Sequence, residues 1–145
     1  MDITGIDITQ IISFIPHAGR IGIKILGTDA DAVLSELTYS DMIAAREGSG
    51  IIANGAVTTL LDTALGMAVV HKKREMCALA TLDLRMDFLR SCTPFSSVYA
   101  RTECIRLTRE VAFVRGEAWC EDPARPVAQS IAAFSISDFD AGAWS

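Results

Sequence analysis

Residues 56–71 run for sixteen positions without a proline, rich in alanine and leucine and apolar on most sides. Such a segment favours helix and would extend about 24 Å. Val57, Leu60, Leu61, Ala64, Leu65 and Ala68 form one broad face, leaving a narrow strip of Thr59, Asp62, Thr63 and Gly66. A helix this apolar must be buried around most of its circumference, so the rest of the chain has to wrap it. The second half supplies the wrapping. In residues 81–88 the polar set Thr81, Asp83, Arg85, Asp87 alternates with Leu82, Leu84, Met86, Phe88, a clean period of two. After a break at Thr93-Pro94, strand-like runs follow at 97–107, 111–120 and 127–136. Their short joints, Thr108-Arg109-Glu110 and residues 121–126, have turn-forming composition, which predicts an antiparallel meander.

Upstream, residues 8–15 read as a short helix stopped near Pro16. Ile21, Ile23 and Ile25 read as a strand closed by Gly27, and residues 33–39 as a second strand with Val33, Ser35, Leu37 and Tyr39 on one side. Residues 40–50 are irregular and end in the loop signature Gly48-Ser49-Gly50. The order is helix, two strands, one long helix, then four strands. A curved antiparallel sheet around a central helix buries that helix most simply, an α+β architecture.

A length of 145 residues without linker or repeat predicts a single domain over 1–145, large enough for a core without a disulfide or metal staple. The net charge is −5, from 13 Lys+Arg against 18 Asp+Glu, which argues against nucleic acid or an anionic membrane as partner. Cys77, Cys92, Cys104 and Cys120 form no CxxC pair, and His17 and His71 are isolated, so neither a metal nor any other cofactor is expected. The start of the chain has no signal-peptide pattern, and no apolar run approaches the ~18 residues of a membrane span, so a cytoplasmic protein is expected.

Two places in the chain can carry chemistry. Asp62, inside an apolar helix, reads either as a general base or nucleophile, or as a carboxylate on the solvent-facing strip. Asn54-Gly55 precedes the helix and reads either as an ordinary cap or as the source of free backbone N–H groups that stabilise an oxyanion. Seven positions separate Gly55 from Asp62, about 10–12 Å along one helix, too far for both to act on one carbonyl. A substrate touched by both would therefore draw them from different chains of an oligomer. No catalytic-triad spacing and no GxGxxG or P-loop motif occurs. The arginines of the strand half, among them Arg85, Arg90, Arg101 and Arg115, read as a phosphate-binding bias or as paired surface charges.

The run from Gly55 to Gly66 resembles the central helix of hotdog-fold acyl-CoA thioesterases of the phenylacetate-pathway type, within the 4-hydroxybenzoyl-CoA thioesterase superfamily. Residues 80–90 are similar to that family's next strand, and Arg109-Glu110-Val111-Ala112-Phe113-Val114 and Pro126-Val127-Ala128 to its later ones. The likeness spans residues 14–137 and implies a hotdog fold and hydrolysis of an acyl-CoA, with coenzyme A arriving as part of the substrate. It implies Asp62 as general base or nucleophile, the backbone N–H at Asn54, followed by Gly55, as oxyanion donor, and a site shared across the interface of a homo-dimer or homo-tetramer. It further implies substrate-binding roles for Thr81, on the strand after the helix, and for Glu47, where some members carry an amide. The chain departs from the family at Ala53-Asn54-Gly55, where His-Gly-Gly is usual. That departure motivates the alternative of a non-catalytic acyl-CoA binding or sensing module. A hydratase on the same fold usually pairs its Asp with a His a few residues on, whereas here the next is His71.

Overall fold

The computed structural model describes residues 5, 7–140 and 142. Asp7 caps a short first helix, α1 (Ile8–Ile11), by accepting the Thr9 N–H, and a 3₁₀ turn (Ile12–Phe14) follows. Pro16 does not stop this region but opens a second helix, α2 (Pro16–Ile21), because a proline is at ease in the first helical turn. Gly22, at φ 93°, ends α2, so Ile21 belongs to the helix and the first strand starts later than its isoleucine spacing suggests.

Six strands form one antiparallel sheet: β1 (Ile23–Asp29), β2 (Ala32–Leu37), β3 (Cys77–Phe88), β4 (Val98–Leu107), β5 (Val111–Trp119) and β6 (Ala128–Asp138). Their order across the sheet is β1-β2-β4-β5-β6-β3. The expected meander is β4-β5-β6, and β3 lies beyond it, paired among the described residues with β6 alone. β1 continues past Gly27 through a bulge to Asp29 rather than closing there. On β2, Val33, Ser35 and Leu37 face the core as their alternation predicts.

The third helix, α3 (Asn54–Lys73), lies against the inner face of this sheet. It has 20 residues, a turn longer than its apolar run, and ends at Arg74 with His71, Lys72 and Lys73 in its last turn, where positive charge suits the helix dipole. His71 Nε2 lies 3.0 Å from the Ala30 carbonyl oxygen in the β1–β2 turn, tying that end of the helix to the sheet. Leu60, Leu61, Leu65 and Val69 are fully buried, each worth roughly 1.5–3 kcal/mol of apolar transfer. Inside the core the Thr102 hydroxyl donates to the Ala64 carbonyl of α3 at 2.9 Å. No helix among the described residues is long and apolar enough to cross a membrane.

Gly116 on β5 has no room for a side chain between β4 and α3. A Cβ there would lie 2.6 Å from Thr102 Cγ2 and 3.3 Å from both the Arg101 carbonyl and Leu61 Cδ2. Gly116→Ala is therefore expected to destabilise the fold by about 1–3 kcal/mol, read as a lower denaturation midpoint at unchanged slope.

Candidate active site

The strip of α3 that the sheet covers least carries Thr59, Asp62 and Thr63, all half-buried, whereas Gly66 on the same strip is fully buried beside Leu79 and Phe134. The Thr59 hydroxyl is spent on the helix itself, donating to the Gly55 carbonyl at 3.0 Å. Asp62 takes its partner from the sheet. Thr81 Oγ1 on β3 donates to Asp62 Oδ1 at 3.0 Å.

Strict alternation along β3 puts Thr81 with Asp83, Arg85 and Asp87, away from the helix. The structure breaks the period. Thr81 pairs with the buried Phe134 and Asp83 with Ala133, leaving Leu82 as one extra residue in a β-bulge. Leu84 then pairs with the buried Ala132. The bulge turns Thr81 inward to Asp62 while keeping Asp83 and Arg85 on the outer face. Leu82 itself is 59% exposed on the free edge of the sheet. No composition signal in the sequence marks this bulge.

At its other end α3 begins without a side-chain cap. Ala53, not Asn54, is the N-cap residue, and Asn54 is the first helical position. The N–H groups of Ala56 and Val57 turn back to the Ala53 carbonyl, and none of the bonds among the described residues takes the N–H of Asn54 or Gly55. Two free donors thus stand at the positive end of a 20-residue helix. A Cβ on Gly55 would meet nothing within 4 Å, so the space beside these donors is open.

The loop leading into α3 is braced. Ala44 and Ile52 form an isolated antiparallel bridge, and the Ala53 N–H donates to the Ile43 carbonyl at 2.9 Å. The Phe95 N–H donates to the Gly50 carbonyl at 2.8 Å, and the Phe95 ring meets Tyr39 edge-on at 5.4 Å. Gly50, at φ 69°, has no room for a Cβ, which would lie 2.7 Å from that ring. Glu47 sits exposed at the tip of this loop.

The structure thus joins Thr81 of β3 to Asp62 and sets Asn54 beside Gly55, but it holds Asp62 and the Asn54-Gly55 donors apart on one unbroken helix, about 10–12 Å along its axis. A carboxylate held by a hydroxyl can accept a proton or attack a carbonyl, and paired backbone N–H groups can receive an oxyanion.

The chain is similar to known proteins over most of its length. The model of the thioesterase superfamily matches residues 49–127, which contain all of α3 and β3 to β5. A solved structure of a Pseudomonas aeruginosa protein is 34% identical, with 88% of this chain and 95% of that one covered and a TM-score of 0.81. A thioesterase of Haemophilus influenzae shares the fold at 19% identity, covering 90% and 87% of the two chains, with a TM-score of 0.77. A variant of the phenylacetic acid degradation protein PaaI of Thermus thermophilus does so at 22% identity, covering 83% and 97%, with a TM-score of 0.69. No curated protein matches the chain in sequence. With an antiparallel sheet wrapped on one central helix and the family model covering more than half its length, the chain belongs to the thioesterase superfamily and has the hotdog fold.

Proposed function

We propose that the protein hydrolyses an acyl-CoA thioester to a free acid and coenzyme A, in a site built by two copies of the chain. The observation that carries this reading is the Asp62 carboxylate, half-buried on the least covered strip of α3 and held by the Thr81 hydroxyl. Asp62 of one copy either takes a proton from water or attacks the thioester carbon itself. The carbonyl oxygen becomes an oxyanion and is received by the Asn54 N–H of the other copy, with Gly55 leaving room for it. The carbon–sulfur bond then breaks and the coenzyme A thiolate leaves. Where Asp62 activated the attacking water, the thiolate takes its proton from Asp62; where Asp62 itself attacked, the thiolate takes a solvent proton and water then hydrolyses the acyl–Asp62 anhydride to release the acid. Glu47, exposed on the loop before α3, would contribute to substrate binding.

The free edge of β3 supports the two-copy reading. It is a 12-residue strand with Leu82 and Phe88 exposed, and an unpaired, partly apolar edge of this length invites a second strand. Antiparallel pairing of β3 with its counterpart would bring the Asp62 strip of each copy toward the other. The test is free-thiol release from short, medium, long and aromatic acyl-CoAs. Turnover of one class supports the reading. Heat stabilisation by acyl-CoA with no thiol released would instead favour a binding module, for which Ala53-Asn54 in place of His-Gly is the motivation.

Thr81 acts here through Asp62. Thr81→Val is expected to lower kcat about tenfold with little change in KM, and Thr81→Ser to restore most of it, as befits one hydrogen bond to a charged acceptor.

A further inference from the structure

The four cysteines are buried and unbridged, and none belongs to the site described above. Two of them meet. Cys92 lies in the loop between β3 and β4, and Cys120 directly follows β5; both are packed in the main core. After burial, Cys120 is the neighbour that does most to raise the Cys92 thiol. The backbone N–H of Thr93, next in the chain to Cys92, donates to Cys120 Sγ at 3.4 Å. A surface hollow of about 210 Å³ reaches Cys120 and is lined also by Arg90, Thr93, Asp122 and Arg125. Cys92 does not line it.

We propose that Cys92 and Cys120 form an oxidation site, converted to a disulfide by a hydroperoxide that enters through this hollow. Cys120 is the sulfur an oxidant meets first. As thiolate it attacks one peroxide oxygen, the O–O bond breaks, and the departing oxygen takes a proton and leaves as water when the oxidant is hydrogen peroxide, leaving a sulfenic acid on Cys120. The Cys92 sulfur then displaces the hydroxyl group, which leaves as water with the Cys92 proton. Two thiols lose two electrons in all, and one peroxide becomes two waters. Burial and the neighbouring Cys120 push the Cys92 thiol up to about 12, so it keeps its proton until this second step. The bond closes a loop whose Phe95 braces Gly50, ahead of the start of α3, so oxidation stiffens the approach to that helix.

The test treats the reduced, full-length protein with hydrogen peroxide and maps its peptides without reductant. The expected product is a Cys92–Cys120 cross-link, reversed by dithiothreitol, with a rise in Tm of roughly 5 °C. Cys92→Ser is expected to stop at a sulfenic acid on Cys120, trapped by dimedone, and Cys120→Ser to leave Cys92 unmodified. The proposal is overturned if all four thiols persist where free glutathione is fully oxidised, or if the cross-link joins Cys77 or Cys104.

Discussion

Asp62→Asn is expected to keep the fold and acyl-CoA binding while lowering kcat by about 10²–10⁴. The amide has nearly the shape of the carboxylate and still offers Thr81 an oxygen to donate to, so the link between α3 and β3 survives. Asp62 is only half-buried, so no large packing loss follows, and stability should stay within about 0.5 kcal/mol of wild type. What disappears is a negative charge able to take a proton or attack a carbonyl, required whether the group acts as base or as nucleophile. A fall in kcat with KM unchanged marks an interaction made in the transition state alone. Steady-state thiol release together with a thermal melt reads both halves of this expectation. Wild-type turnover in the variant would remove Asp62 from the chemistry.

Asn54→Pro is expected to cost about 10²–10³ in kcat, also without unfolding the protein. Proline removes the backbone N–H and nothing else of structural consequence here, because no described bond uses that donor. It suits the first helical position, and Ala53 already holds φ −63° and ψ 144°, a conformation favoured before proline. Asn54→Ala keeps the N–H and should remain within about threefold of wild type. The contrast separates the backbone donor from the asparagine side chain. Equal losses in the two variants would place the oxyanion elsewhere.

The large features of the fold are legible in the sequence because they rest on burial. A proline-free apolar helix can be satisfied only by a sheet around it, and β4, β5 and β6 appear close to where their alternation and turn residues put them. Asp62 is legible for the same reason, as a charge where a helix has little room for one. The details that decide contacts are less visible. Pro16 starts a helix as readily as it ends one, and only the backbone around it shows which. The Leu82 bulge adds one residue without changing the polar alternation of β3, yet it decides whether Thr81 meets Asp62 or faces away. The hydrogen bond from the Thr93 N–H to Cys120, which sets Cys92 beside that thiol, joins residues 27 apart through the packing of a loop on a strand end, which no local pattern encodes.

In the proposed hydrolysis one active site takes Asp62 from one chain and the Asn54 N–H from another. Co-expressing Asp62→Asn and Asn54→Pro chains under separate tags, then measuring thiol release by the mixture, tests it most directly. Random pairing makes half the dimers mixed, each with one intact site of two, so about a quarter of wild-type turnover should return. A mixture no more active than its two parents would show that both groups serve the same chain, or that they do not share a substrate.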